Sequence, residues 1–209
     1  MKENELTLQI LDAATAKAVR DRARDRAAPA YPTSAALEEF QRVVHRYVTC
    51  LAFVVKGFAL ISESLPDAKS PTQNIFVGNG PPGEGDALSR IRVEEAHDYL
   101  AKDGFFTDAI TKSLIVRIYA EWDEKYRAAI GLECGVSVGG VSSDLMGDLR
   151  HIRNWIVHKK SIAPPNFRSF AVLQWRVTAG EFFAVTRGDF EDLIIEINRM
   201  VVSIGDRID

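Results

Sequence analysis

The longest stretch of apolar positions at helical spacing lies between residues 34 and 64. Side chains three, four and seven positions apart share one face of an α-helix, so this pattern predicts one long helix. Thr33 or Ser34 can cap its N-terminus. Its most apolar part, residues 47–61, is too short to cross a bilayer and is interrupted by Lys56. We therefore expect a buried helix that forms the spine of a helical bundle. The apolar positions on its stripe are Phe40, Val44, Tyr47, Leu51, Val54, Phe58 and Ile61.

Helical spacing marks further segments along the chain. They are residues 8–28, 87–102, 107 to about 132, 142 to about 160, and about 188–204. Thr107 can cap the third of them, and Thr186 with Asp189 forms a capping box before the last. Between the helices we expect a loop rich in proline and glycine at 65–85, a turn at 135–140, and an extended pair or packed loop at 169–186. The predicted fold class is all-α, an up-and-down bundle of five or six helices with little or no strand.

Composition narrows the class of protein. A chain of 209 residues with 46% hydrophobic content suits one domain, which we divide into a helical arm at 1–30 and a single helical domain at 31–209. The net charge of −3 excludes a protein that coats nucleic acid through its overall charge. Cys50 and Cys134 are too few for a disulfide framework or a zinc cluster, and Cys50 is expected to be buried. These features, and an N-terminus without a secretory signal, predict a cytoplasmic protein without a membrane partner.

The helix predicted from Ser142 or Ser143 to before Pro164 carries the most informative side chains. With about 100° per residue, Leu145, Leu149, Ile152 and Ile156 share a buried face. Arg153 lies on the flank of that face, and His158 lies about 140° from Arg153. A single straight helix is therefore not expected to bring these two side chains together. We expect a homodimer in which two copies of the helix end meet across a twofold axis.

Arg153, Asn154 and His158 suit the cleavage of an RNA backbone. A histidine can take or give a proton near neutral pH, and an arginine can bind a phosphate and stabilise its developing charge. Asn154 can orient the histidine or bind a phosphate oxygen. The attacking group would be the RNA 2′-hydroxyl, so neither a metal ion nor another cofactor is expected. A basic rim for binding the phosphates of RNA is predicted at Arg150, Lys159 and Lys160.

The motif arginine, asparagine, three residues, histidine near the end of a late helix resembles the HEPN domain family. Two longer stretches, residues 147–160 and 122–127, are also similar to a subgroup of that family. The resemblance implies a HEPN-like helical bundle and a metal-independent endoribonuclease of toxin or phage-defence type. The implied catalytic residues are Arg153, Asn154 and His158. RNA would be the substrate, and an antitoxin protein is a further partner that the resemblance allows.

Other patterns in the chain predict less. Arg92 and His97 also have the family's spacing, but the two glutamates between them would repel a phosphate. Residues 135–139 match a nucleophile elbow without the strand that should precede it. Acidic residues near 121–124 are typical of a solvated helix face rather than a metal site, and the three tryptophans are typical of a core. Two functions stay open beside the nuclease: a non-catalytic module that binds nucleotide, RNA or protein, and a helical adaptor.

Overall fold

The computed structural model describes residues 34–67, 73–80, 85 and 87–205, so the arm expected at 1–30 lies outside the described residues. The described chain is mainly helical and carries two short antiparallel sheets, β1–β2 and β3–β4. The mainly α fold class is thus confirmed. The elements in chain order are α1 Ala35–Ser64, β1 Asn74–Gly78, β2 Ala87–Arg92, α2 Val93–Leu100, α3 Phe105–Glu121, α4 Arg127–Cys134, β3 Val141–Ser142, α5 Asp144–His158, α6 Arg187–Asn198 and β4 Ser203–Ile204.

Helix α1 has the predicted bounds, but only three of the seven apolar residues on its predicted stripe are buried. Ser34 caps it by accepting a hydrogen bond from the Leu37 backbone N–H at 3.1 Å. Its buried residues are Ala36, Phe40, Val44 and Leu51. We define the outer face of α1 as Cys50, Phe53, Leu60 and Ile61, which are all exposed.

The expectation of a buried spine is therefore wrong for residues beyond Leu51, and so is the expected burial of Cys50. The reason is that Phe53 and Leu60 point about 180° away from Leu51 on the helix, while the bundle covers one side only. By length and composition alone, α1 is also sufficient to cross a membrane, and 11% of its most apolar window is buried. The expected absence of a membrane partner stays a prediction.

A β-hairpin stands where a loop and the start of a helix were expected. Strands β1 and β2 pair antiparallel, with Ile75 opposite Ile91 and Phe76 opposite Arg90. Ile91 is the one β-branched residue of 87–92, so the strand is stabilised by pairing with β1 more than by local propensity. Helix α2 accordingly begins at Val93, where Glu95 accepts a hydrogen bond from the Arg92 backbone N–H at 3.3 Å.

A single continuous helical rod joins α3 to α4. Between them, residues Trp122–Tyr126 form one turn of π-helix, which holds one residue more than an α-helical turn. Trp122 and Tyr126 are both buried against Phe40, with ring centroids 5.6 and 5.5 Å away. The rod begins at Phe105 after an N-cap at Gly104, so the predicted cap at Thr107 is wrong; Thr107 is buried in the first turn.

The chain after α5 is a packed loop, which is one of the two forms expected for residues 169–186. Its backbone is anchored by Asp148, which is 4% exposed and accepts hydrogen bonds from three consecutive backbone N–H groups at 2.8–3.1 Å. The donors are Ala171, Val172 and Leu173. The predicted capping box of Thr186 and Asp189 then opens α6. That helix ends at Asn198 rather than near 204, because residues 203–204 pair with β3.

Candidate functional site

Helix α5 fixes the orientation of the candidate residues. Leu145, Leu149 and Ile152 are buried in the core, as their spacing predicts, whereas Ile156 is only half-buried. The helix packs against α3, and its polar side faces solvent, with Arg150, His151 and His158 exposed. Arg153 and Asn154 are half-buried at the boundary between the two sides. A row of cationic and polar groups thus runs along one edge of the helix.

Arg153, Asn154 and His158 are in direct contact within one chain. Nη1 of Arg153 lies 3.0 Å from Oδ1 of Asn154 and 3.0 Å from Nε2 of His158. The expectation that a single helix does not bring arginine and histidine together is therefore wrong. The angular separation describes where the side chains leave the helix, whereas the long arginine stem carries the guanidinium around it to the next turn. The original reason to expect a dimer is removed by this contact, and the dimer itself stays a prediction.

The donor and acceptor roles in this cluster are fixed by chemistry. A guanidinium only donates hydrogen bonds, so Nε2 of His158 must accept with its lone pair and the ring proton must lie on Nδ1. Oδ1 of Asn154 accepts the second Nη1 hydrogen. Arg153 therefore orients the imidazole ring, with Nε2 of His158 turned toward the positive charge.

The neighbouring α3–α4 rod contributes Tyr119, a residue that the motif does not include. Burial raises the pKa of the Tyr119 phenol above its ordinary value of 10.0, and the carboxylate of Asp123 raises it further. The guanidiniums of Arg150, Arg127 and Arg153 act on the same phenol in the opposite direction. The phenol is therefore a neutral hydrogen-bond donor at pH 7, surrounded by three arginines from two helices.

Arg127 was also missed from the sequence, although it lies in the upstream stretch that resembles the HEPN family. Its Nε donates to the Val141 carbonyl at 2.8 Å, and its Nη1 lies 3.5 Å from Oδ1 of Asp123. Helical periodicity could not identify it, because the π turn before it shifts the phase of the helix. Arg127 thus ties the rod to the turn before α5 and adds positive charge beside Tyr119.

The basic rim lies where α5 ends. Lys159 and Lys160 are exposed, and like Arg150 they form no ion pair within the described part of the chain. Lys160 and Ser161 both have left-handed backbone conformations, with φ of 52° and 61°. Such conformations are unfavourable for residues other than glycine. They are held here by hydrogen bonds from the Ser161 N–H to the Trp155 carbonyl at 2.9 Å and from the Phe183 N–H to the Ser161 carbonyl at 2.8 Å.

The second arginine–histidine pair does not form a cluster. Arg92 pairs with Glu95 at 2.8 Å, while Nε2 of His97 lies 3.3 Å from the Pro66 carbonyl oxygen. The two side chains have different partners, as the intervening glutamates suggested. The same spacing therefore gives contact in one helix and none in the other.

The other patterns also have structural roles. Ser137 is exposed before a 3-10 turn at Val138–Gly140, and the segment before it is helix α4 rather than a strand. Trp122, Trp155 and Trp175 are buried, as expected. Glu121 accepts from Tyr47 at 3.2 Å and pairs with Arg117, so it is not simply solvated. Within the described ranges, no group of three or more histidine, cysteine or acidic residues is placed to hold a metal ion.

Three features therefore bear on function. They are the clustered residues of α5, the basic rim beyond that helix, and the phenol of Tyr119 with the nearby arginines. No family model, curated protein or solved structure matches this chain.

Proposed function

We propose that this chain is an endoribonuclease of the HEPN type that cuts RNA without a metal ion. The observation that supports it is the contact of Arg153 Nη1 with Asn154 Oδ1 and His158 Nε2, each at 3.0 Å. A fixed cation beside a proton acceptor is the arrangement that reaction at a phosphodiester requires. Arg150, Lys159 and Lys160 would bind the flanking phosphates. The HEPN-like arrangement of the helices belongs to the same proposal.

In the proposed reaction, the RNA 2′-hydroxyl gives its proton to Nε2 of His158. Its oxygen forms a bond to phosphorus, and the bond from phosphorus to the 5′-oxygen breaks. The leaving oxygen keeps the electron pair and takes a proton from the protonated His158 of a second copy, which gives a 2′,3′-cyclic phosphate and a 5′-hydroxyl. Arg153 stabilises the negative charge on the non-bridging oxygens. No metal is required because RNA supplies the nucleophile and arginine supplies the positive charge.

Substrate binding would also free the base. Without RNA, Arg153 occupies the lone pair of His158 that must take the proton. A phosphate carries a negative charge and can accept two parallel hydrogen bonds from a guanidinium, whereas the imidazole offers a single lone pair. Arg153 therefore turns to the phosphate when RNA binds, and Nε2 becomes available to the 2′-hydroxyl. Asn154 holds the guanidinium during this exchange.

The homodimer is a further part of the proposal. The cluster contains one imidazole, whereas the reaction needs one proton removed and one delivered. Because His158 and the basic rim are exposed at the end of α5, a second copy can bring its own His158 to the same linkage. A cytoplasmic location and an antitoxin partner would accompany a nuclease of this type.

The alternative is a HEPN-like module that binds RNA, nucleotide or protein without cleaving. It is favoured by the same single imidazole, whose basic nitrogen is already engaged by Arg153. In that case, the cluster would bind a phosphate and His158 would only position the guanidinium.

The test is cleavage of end-labelled single-stranded RNA in the presence of EDTA. We expect the wild type to release fragments that end in a 2′,3′-cyclic phosphate, and His158→Ala to lose at least about 100-fold in rate. RNA methylated at every 2′-oxygen should bind and remain intact. His151→Ala is the matched control, because His151 is exposed on the same helix and outside the cluster.

The outcomes separate the candidates. Cleavage that survives His158→Ala, or cleavage of the methylated RNA, would exclude the proposed chemistry. RNA that binds through Arg153 but is never cut would favour the binding module. The dimer is tested by dilution: the rate per chain should fall once sedimentation shows monomers, and a constant rate would remove the dimer from the proposal.

A further inference from the structure

A cleft of about 500 Å³ lies between α3 and α5, beside the segment that follows the catalytic cluster. Phe105 and Phe182 are its largest walls, and they are 59% and 65% exposed. Lys112, Asp108, Ile156 and Ser161 also line it. Most of the lining is apolar, and the polar groups are few, which is typical of a site that binds a flat organic ligand.

The base of the cleft is held rigidly by a buried ion pair. Lys112 is 6% exposed, and its Nζ lies 2.8 Å from Oδ2 of Asp108. The other carboxylate oxygen of Asp108 accepts from the Val185 backbone N–H at 2.7 Å. The Lys112 ammonium lies 4.3 Å from the centre of the Phe182 ring. One face of that ring is thus fixed by a cation, while much of the ring stays open to solvent.

The cleft lies next to the Arg153 cluster along α3 and α5, although none of the three clustered residues lines it. Ile156 lies one helical turn beyond Arg153 on α5, a rise of about 4.5 Å. On α3, Val116 lines the cleft, and Tyr119 lies one turn further toward the arginines. At the other side, the left-handed residues Lys160 and Ser161 carry the chain from His158 to the cleft wall. We call this surface along α3 and α5 the groove; it carries the arginines around Tyr119 at one end and the rings of Phe105 and Phe182 at the other.

We propose that this cleft binds an unpaired nucleobase next to the cleaved linkage, by stacking on Phe182. The proposal rests on the function above, since it assigns the phosphate to the Arg153 end of the groove. A base is flat and apolar on its faces and polar at its edges, which matches open phenylalanine rings beside the Ser113 and Ser161 hydroxyls. A paired base has no free face to stack, so the preferred substrate is single-stranded RNA.

The backbone strain is consistent with this assignment. Two consecutive left-handed residues cost free energy and are retained mostly where the geometry serves a function. Here they reverse the chain immediately after α5, so that His158 stays at the phosphate end while Ser161 reaches the cleft.

The test measures binding rather than cleavage, with RNA methylated at every 2′-oxygen as the probe. We expect Phe182→Ala to weaken binding of the single strand roughly 5- to 150-fold, the range observed when a base loses one aromatic partner. Phe182→Trp should retain the affinity, because it keeps the stacking surface. Phe53→Ala is the control, since Phe53 is as exposed as Phe182 but lies on the outer face of α1.

A second probe locates the stacked base. Replacing one base at a time by an abasic unit should reduce wild-type affinity at one position near the scissile linkage. At that position, the abasic RNA should bind wild type and Phe182→Ala equally. Unchanged affinity of Phe182→Ala for intact RNA, with folding verified by circular dichroism, would overturn the cleft assignment even if His158→Ala abolishes cleavage. Binding that depends on Phe182 without any cleavage would support the cleft assignment and contradict the proposed nuclease activity.

Discussion

At the scale of single residues, Arg153 determines the chemistry of the cluster. One guanidinium nitrogen serves Asn154 and His158 at once, which leaves the other donors of the group free for a phosphate. A lysine has the same charge, but its ammonium is a compact point without the planar fork. Shape, and not charge alone, should therefore matter at this position.

Arg153→Lys is expected to reduce kcat for RNA cleavage by about 100- to 1000-fold, with a smaller change in KM. The reason is that the lysine can still attract the phosphate, but its compact ammonium cannot bind two phosphate oxygens in parallel while Asn154 holds it. Steady-state kinetics on a short RNA provide the measurement, and Arg150→Lys on the exposed rim is the control. Equal kcat values for wild type and Arg153→Lys would show that only the charge is needed.

At the scale of elements, α5 is organised on its buried side by Asp148. This carboxylate binds three successive backbone N–H groups of the loop that follows the helix. Trp155 lies about two turns beyond Asp148 on the same side of α5. It packs edge-on against Phe167 and Phe183, with ring centroids 4.9 and 6.0 Å away. The helix that carries the reactive cluster is thus also the support of the loop that forms the wall of the cleft.

Asp148→Ala should lower the free energy of unfolding by about 3 kcal/mol, because three consecutive backbone N–H groups, one buried and two partly buried, lose their acceptor. Asp148→Asn keeps one acceptor oxygen and should lose less. Urea denaturation followed by fluorescence of the buried tryptophans measures both. If both variants unfold at the same urea concentration as the wild type, the loop does not depend on Asp148.

Local spacing predicted the helices well and the contacts between side chains poorly. The bounds of α1, the cap at Ser34 and the buried side of α5 follow from positions three and four apart, which interact through the nearest turn. The strand at 87–92 was missed because its own residues do not alternate between apolar and polar, and its extended form depends on pairing with β1. The contact of Arg153 with His158 was missed because it depends on the reach of a flexible stem. Tyr119 joins the site through packing of α3 on α5, which no local pattern records.

At the scale of the whole molecule, the outer face of α1 is the main apolar surface without a covering element among the described residues. Phe53, Leu60 and Ile61 are 60%, 54% and 50% exposed along the half of the helix that extends beyond Leu51. Contiguous exposed apolar side chains mark contact sites or promote association. The packing of the described fold therefore does not depend on these side chains being apolar.

The double substitution Phe53→Glu with Leu60→Glu should change the free energy of unfolding by less than about 1 kcal/mol, since exposed positions contribute little. It should also reduce self-association, or release from membranes if α1 binds there. Phe40→Ala is the contrasting variant and should cost about 3–5 kcal/mol, because Phe40 is fully buried. Thermal denaturation with light scattering tests both. A large loss of stability in the double variant would mean that these side chains are packed after all.

The surplus residue in the turn Trp122–Tyr126 has a consequence for comparing this chain with others. Positions before and after it are out of step by about 100° relative to an uninterrupted α-helix. The residues of α3 that face α5 follow one helical phase. Arg127 comes after the π turn and follows a phase shifted by about one residue. An alignment that counts evenly through this rod would equate surface with interior downstream, so related chains should be aligned here with a one-residue gap.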